Sequence, residues 1–218
     1  MLAALGLSFA TAGRAAGQGD TLQVREIAVP PIAAAAPGAG WGEPQVAIET
    51  RQGLVSVWLL RAAGTVFVAA HVPDRTPSWS DAFVVCLDPA GAGEVAPGHD
   101  DFEWSLRRSL DSSVVYRGRD GRWQPPLNDP DWRIGTNHAG GGWEAGAAER
   151  GPGWTVVLRL DPAWFAGASG RGPRMAFQVH DDDPDAWYAW PRAARGDADG
   201  SARTLDARPA DWVPVRHD

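Results

Sequence analysis

The chain is short of several residue types, and each shortage excludes a class of structure or partner. Its 218 residues include no lysine, so arginine supplies every strong base, and the formal net charge is −7. An acidic chain of this kind has no electrostatic footprint for nucleic acid or for an anionic lipid surface. The one cysteine, Cys86, lies in an apolar run, so no intramolecular disulfide is possible and we expect a small buried hydrophobe.

Long apolar runs are also lacking. The stretch from Leu2 to Ala12 is apolar and ends in a small-x-small pattern, but it is too short to span a membrane. We interpret residues 1–26 as a signal peptide or a disordered lead-in, although no basic residue precedes the apolar stretch. The sequence therefore predicts an extracytoplasmic protein, periplasmic or secreted, whose mature part is a single domain over residues 27–218 without membrane insertion.

Turn-forming residues, in contrast, are abundant and spread through the chain, with 26 glycines and 18 prolines. They separate short runs with strand character, which predicts an all-β fold. We expect an antiparallel β-sandwich, of the jelly-roll or immunoglobulin-like kind, with one or two short helical turns. One such turn is predicted at Asp161–Phe165, with an aspartate cap and proline at the first position. The predicted strands are Gln45–Thr50, Leu54–Arg61, Thr65–Val72, Ala82–Asp88, Phe102–Arg107, Ser113–Arg117, Trp154–Leu160, Arg174–His180 and a last possible strand at Ala202–Leu205.

Tryptophan is the most informative residue type, with twelve copies. Five of them fall on core or turn positions that a sandwich needs and five have no assigned role, but Trp79 and Trp190 lie next to prolines and turn residues. An indole held at the rim of a sheet offers an apolar face and an N–H group, which suits the C–H face and hydroxyl edge of a sugar ring. The alternative for Trp79 is a loop aromatic that folds back on the core, and for Trp190 it is a ring packed between Tyr188 and Pro191.

Catalytic motifs are missing from the sequence. It contains no G-x-S-x-G elbow, phosphate-binding loop or dinucleotide fingerprint, and its five histidines have no metal-type spacing. A glycosidase pair of Glu103 with Asp74 or Asp81 is conceivable, but the separation of these carboxylates cannot be read from sequence. We therefore expect a binding module rather than an enzyme.

The order of motifs from Trp41 onward resembles the family 9 carbohydrate-binding modules. The resemblance rests on a tryptophan followed by a strand that begins and ends with aspartate, here Trp79, Asp81 and Asp88. Other motifs in the same order are Gly38–Trp41, Val55–Leu60, Gly64–Asp74, Asp100–Trp104, Gly153–Val156 and Phe177–Asp181 with Trp190 after it. The resemblance implies a β-sandwich that binds saccharides without catalysis and supports carbohydrate catabolism beside a partner enzyme.

The resemblance also implies a site. Two tryptophans would sandwich a terminal sugar, which places Trp79 and Trp190 in those roles and Gln178 as a hydrogen-bonding partner. A family glutamate is replaced by Val84 and a family arginine by Ser105, with Arg107 the nearest substitute on the same face. From their positions at strand ends, Asp81, His71 and His180 complete the predicted ligand-binding set.

Calcium ions brace loops in this family, and acidic residues of this chain are candidate ligands for Ca²⁺. The pair Asp100 and Asp101 and the run that starts at Asp181 supply the oxygen ligands that this cation prefers. The alternative is a pair of solvated acidic turns, since charge runs usually face water.

Two other functions remain open from the sequence. Related sandwiches hold a b-type haem through methionine with lysine or histidine, for which Met175 with His71, His138 or His180 would be needed here. A structural envelope domain that has lost its ligand is the second, and the replacements at Val84 and Ser105 would permit it.

Overall fold

The computed structural model describes residues 21–33, 40–110, 113–124, 143–166, 172–183, 185–195 and 208–216. Within them lie fourteen strands and three 3-10 turns. The strands are β1 (Leu22–Gln23), β2 (Arg25–Glu26), β3 (Val46–Glu49), β4 (Leu54–Ala62), β5 (Thr65–Pro73), β6 (Ala82–Asp88), β7 (Phe102–Arg107), β8 (Val114–Arg119), β9 (Arg122–Gln124), β10 (Trp143–Glu149), β11 (Gly153–Leu160), β12 (Arg174–Asp182), β13 (Asp185–Trp190) and β14 (Val213–Arg216). The turns are Pro162–Phe165, Arg192–Arg195 and Pro209–Asp211.

The strands form two sheets that pack as a sandwich, which confirms the predicted fold class. One sheet has the order β1-β14-β12-β6-β7-β8-β9, and β13 pairs with the far part of β12. The other has the order β10-β11-β5-β4-β2, with β3 also paired to β4. Both sheets are mixed rather than purely antiparallel, because the short strands β1 and β2 pair in parallel with β14 and β4.

The core lies between the two sheets and follows the alternation of each strand. In β6, Phe83, Val85 and Leu87 point into it, and Phe83 stacks on Phe177 of β12 at 6.0 Å between ring centroids. The alternate residues of β6 point to the outer face of the sheet. They are also buried, because the side chains of Trp123 and Trp212 pack over that face. Burial on both faces explains why β6 is a continuous apolar run in the sequence.

Local sequence signals explain several connections. The β4–β5 hairpin turns at Ala63 and Gly64, both with positive φ, as a two-residue hairpin turn of this kind requires. The predicted turn after β11 is confirmed, because the Asp161 side chain accepts a hydrogen bond from the Ala163 N–H at 2.8 Å. Gly118 has no room for a side chain, since an added Cβ would lie 2.0 Å from the Gly98 carbonyl oxygen.

Some sequence expectations differ from the structure. Three 3-10 turns are described where one or two were predicted, and the strands β1, β2, β9, β10, β13 and β14 were not predicted at all. The strand β1 lies before the predicted domain start at residue 27, because Leu22 pairs with Val215 and is buried. The possible strand at 202–205 lies outside the described residues. Nowhere in the described ranges is there a helix of the length and apolarity needed to cross a membrane.

Candidate functional site

The most exposed tryptophan of the described residues is Trp79, on the loop between β5 and β6. Its exposed fraction is 76%, whereas the core tryptophans Trp104 and Trp154 are fully buried. We refer to residues 74–81 as the Trp79 loop. The loop carries this exposed indole at one end of the eight-stranded sheet, so its apolar face is open to a ligand.

Hydrogen bonds hold the Trp79 loop in shape from within. The Asp74 carboxylate accepts from the Thr76 N–H at 3.0 Å, and the Asp81 carboxylate accepts from the Ser78 N–H at 2.6 Å. Asp74 also forms an ion pair with Arg108, whose guanidinium contacts Glu149 on the opposite sheet at 2.6 Å. The carboxylates of Asp74 and Asp81, at the two ends of the Trp79 loop, therefore stabilise its backbone through hydrogen bonds.

A second set of bonds ties the loop to the end of β12. The Asp182 N–H donates to Asp81 at 2.9 Å, and the Ser78 hydroxyl donates to the Asp182 carboxylate at 2.6 Å. The His180 ring lies 3.0 Å from the Ser80 carbonyl oxygen. These contacts fix the backbone on either side of Trp79, although the indole ring itself is exposed to solvent.

The strand register places four side chains in one row beside the loop. Arg107 pairs with Ala82, Ala82 with His180, and His180 with Trp187, across β7, β6, β12 and β13. Directly paired residues share a face of the sheet, so all four point to the outer face of the eight-stranded sheet. The Arg107 guanidinium lies over the Trp79 ring, 4.9 Å from its centroid. We call the Trp79 loop together with this row the Trp79 end of the sheet.

An open depression of about 530 Å³ lies at this end. Its lining combines the indole with hydroxyl and carboxylate groups, which are the groups that hydrogen-bond sugar hydroxyls. The lining residues are Thr76, Pro77, Ser78, Trp79, Asp182 and Asp183.

The carboxylates of the site have unequal surroundings. Burial raises the pKa of Asp81, and the adjacent Asp74 adds to this, against the N–H groups of Asp182 and Ser78 that lower it. The hydrogen bond from Ser78 lowers the pKa of Asp182, so its carboxylate is ionised at neutral pH. The depression thus presents a charged acceptor, with the Arg107 cation beside it.

Trp190 is not at the rim. It is 7% exposed and stacks on Phe177 in the core, with ring centroids 5.9 Å apart. It pairs with Phe177 across the strands, and Phe177 points inward, so Trp190 does too. The structure therefore does not place the two predicted indoles across one cleft.

Gln178 and His71 also lie away from the depression. Gln178 is 1% exposed, and its amide donates to the Ala194 carbonyl oxygen at 2.8 Å, under the turn at Arg192–Arg195. Val84 and Ser105 lie in the same buried row, paired with Gln178 and with each other. His71 lies on the outer face of the other sheet, paired with Thr155, where burial lowers its pKa.

The predicted calcium ligands do not form one site. Asp101 precedes β7 beside the last residues of β6, whereas Asp181 lies beside the first, so the length of β6, about 20 Å, separates them. Asp100 lies with Asp101, whose carboxylate accepts from the Gly98 N–H at 2.7 Å. In the part of the chain that the structure describes, no three His, Cys, Asp or Glu side chains are arranged to hold a metal ion. A calcium ion held by either acidic group on its own stays a prediction.

The described residues also do not form the predicted pair of haem ligands. Met175 is fully buried in the core, while His180 and His71 lie on the outer faces of the two different sheets. A methionine and a histidine on opposite faces of their sheets cannot approach one iron from both sides. His138 lies outside the described residues.

The fold is that of the family 9 carbohydrate-binding modules. A module of this family from Caldicellulosiruptor kristjanssonii in complex with glucose matches with a TM-score of 0.56 and 13% identity, covering 91% of this chain and 96% of that one. A family 9 module from the same organism in complex with cellotriose matches with a TM-score of 0.57 and 14% identity, covering 91% and 94%. No protein-family model matches the sequence, and neither does any curated protein.

Trp187, beside the depression, was not among the predicted site residues, and neither were Thr76, Asp182 and Asp183, which line it. Trp187 is partly buried on the outer face, and its ring stacks on His180 at 4.3 Å between centroids, with an interplanar angle of 15°. The two residues pair directly across β12 and β13. The sequence does contain a signal for Trp187. This residue is an odd number of residues from Trp190, so on one strand the two rings point to opposite faces of the sheet.

Proposed function

We propose that the Trp79 end of the eight-stranded sheet binds a saccharide and that the chain is a non-catalytic carbohydrate-binding module. The observation that carries the proposal is a 76% exposed indole on a loop held by hydrogen bonds. A rigid aromatic platform pays little entropy on binding, so it can stack on the apolar face of a sugar ring. The likeness to modules bound to glucose and cellotriose supports this ligand class.

The roles of the neighbouring side chains follow from their positions. Arg107 covers one face of the indole, so a sugar would stack on the other face. The carboxylates of Asp182 and Asp183 and the Thr76 hydroxyl line the depression and are suited to sugar hydroxyls. Trp187 supplies a second aromatic surface three strands from Arg107 in the same row.

An isolated stacking platform gives weak binding. A ring contact contributes on the order of 1 kcal/mol beyond the buried area, so an affinity in the millimolar to micromolar range is expected. Such a module would act by holding a partner enzyme or transport component near polysaccharide. That role fits the extracytoplasmic location that residues 2–12 predict.

The test is a titration of ¹⁵N-labelled protein with glucose and with cellotriose, followed through the indole N–H signals. The Trp79 and Trp187 signals should shift with saturation, and the signal of the buried Trp212 should stay in place. Val95→Ala is the matched control, since it removes another exposed apolar side chain at the opposite end of the sheet. No shift with either sugar would leave a structural domain without a saccharide ligand as the better account, and shifts confined to other indoles would place the binding surface away from Trp79.

A further inference from the structure

His180 connects the two aromatic parts of the candidate site. One face of its imidazole stacks on Trp187, Nδ1 lies 3.0 Å from the Ser80 carbonyl oxygen, and Nε2 lies 2.9 Å from Asp185 Oδ1. Its side chain is only 15% exposed. Because both ring nitrogens already contact protein acceptors, no polar atom of the ring remains for a ligand.

The contact with Ser80 acts on the residue that follows Trp79. A carbonyl oxygen only accepts, so the Nδ1–H group must donate to it. Other bonds from β12 reach Ser78 and Asp81, and the Asp183 carbonyl oxygen after it accepts from Thr76. Ser78 and Ser80 flank Trp79, so the bond from His180 to Ser80 holds the side of the indole that follows it in the chain.

We propose that His180 is a positioning residue, which fixes the Trp79 loop through the Ser80 carbonyl and so sets the indole for saccharide binding without touching the saccharide. The inference rests on the proposed function and assigns His180 a different role from the ligand contact that the sequence suggested. The bond to Asp185 matters less, because that carboxylate is 76% exposed and an ion pair in water contributes little.

Two substitutions separate the contacts of the ring. Nδ1 is two bonds from Cβ, as is the amide nitrogen of asparagine, whereas Nε2 is three bonds away, as in glutamine. His180→Asn therefore keeps a donor for Ser80 and loses the Asp185 contact, while His180→Gln does the reverse. Both variants lose the stacking on Trp187 equally, so the difference between them reports on the Ser80 bond relative to the Asp185 bond, and Asp185→Asn measures the latter by itself.

The measurement is the affinity for cellotriose by calorimetry. We expect His180→Asn and Asp185→Asn to stay within about threefold of wild type and His180→Gln to weaken binding about tenfold, the effect of one lost buried hydrogen bond. His71→Gln, on the far face of the sandwich, is the control and should change nothing. Equal losses in His180→Asn and His180→Gln, or no loss in either, would overturn the proposal.

A second readout needs no sugar. In the free protein, the Trp79 indole N–H signal, assigned from its absence in Trp79→Phe, should move in His180→Gln and keep its wild-type position in His180→Asn. An unmoved signal in His180→Gln would contradict the positioning role. If the wild type binds no saccharide while this signal behaves as expected, the proposed function fails and the positioning role of His180 in the loop stands.

Discussion

The outer face of the eight-stranded sheet has two ends that use tryptophan in opposite ways. At one end Trp212 and Trp123 stack with centroids 6.0 Å apart over the buried residues Cys86 and Ala176. We call this the Trp212 end. At the Trp79 end the indole faces solvent, and hydrogen bonds rather than apolar neighbours hold its loop. Tryptophan therefore completes a second hydrophobic cluster at one end of the sheet and forms an exposed surface at the other.

Burial separates the tryptophans that stabilise the fold from the one proposed to bind a ligand. A buried aromatic stabilises the fold in proportion to the contacts that it makes, while an exposed one stabilises little. Substitutions at the Trp212 end should therefore change stability, and substitutions at the Trp79 end should change binding.

The largest effect is expected for Trp212→Ala. The side chain is 1% exposed, so its removal opens a cavity against Trp123 and should cost about 3–5 kcal/mol of unfolding free energy. Denaturant unfolding measures this, with Trp79→Ala as the matched control at within about 0.5 kcal/mol of wild type. A loss below about 1 kcal/mol for Trp212→Ala would show that the outer face holds no second core.

The Trp212 end also holds a titrating group. Asp101 is 3% exposed, and burial raises its pKa to about 7, with Asp88, Asp100 and Glu94 adding to the effect. An acid whose folded pKa exceeds its unfolded value, about 4, contributes stability below that value and loses it as the pH rises through the folded pKa.

Wild type should therefore lose stability between about pH 4 and about pH 8, by up to about 4 kcal/mol from this group. Asp101→Asn keeps an oxygen acceptor for the Gly98 N–H and cannot ionise, so its stability should vary less with pH. Unfolding in urea across this range checks it. A variant with the same pH dependence as wild type would assign the titration to another group.

A smaller effect is expected for Arg107→Gln at the Trp79 end. The guanidinium lies 4.9 Å from the indole centroid, and a contact of this kind contributes about 0.5–1 kcal/mol at an exposed site. Saccharide affinity should fall about twofold to fivefold with no change in stability. Arg122→Gln, exposed on β9 away from the depression, is the control. A tenfold or greater loss would mean that Arg107 contacts the sugar directly.

Much of the fold was predictable because its strands are long and bounded by turn residues, as in β6, which begins and ends as predicted. The strands β10 and β14 were missed because one is rich in alanine and glycine and the other is four residues long with a central proline. Such edge strands depend on their partners rather than on their own propensity.

The candidate site was predictable only in part. The Trp79 loop follows from Pro77 and Asp81, which mark a turn in the sequence itself. The choice of Trp190 was wrong because a strand with aromatics on both faces does not reveal which face is buried. Only the pairing of β13 with β12 decides it, and that pairing places Trp190 on Phe177 and Trp187 on His180.

The most direct test of the account is calorimetric titration of cellotriose into wild type and Trp79→Ala, with the stability of both proteins measured in parallel. We expect weak, saturable binding by the wild type and an affinity at least about tenfold lower in Trp79→Ala at unchanged stability. Equal affinity in the two proteins, or no binding by the wild type, would contradict the claim that the Trp79 end is a saccharide-binding surface.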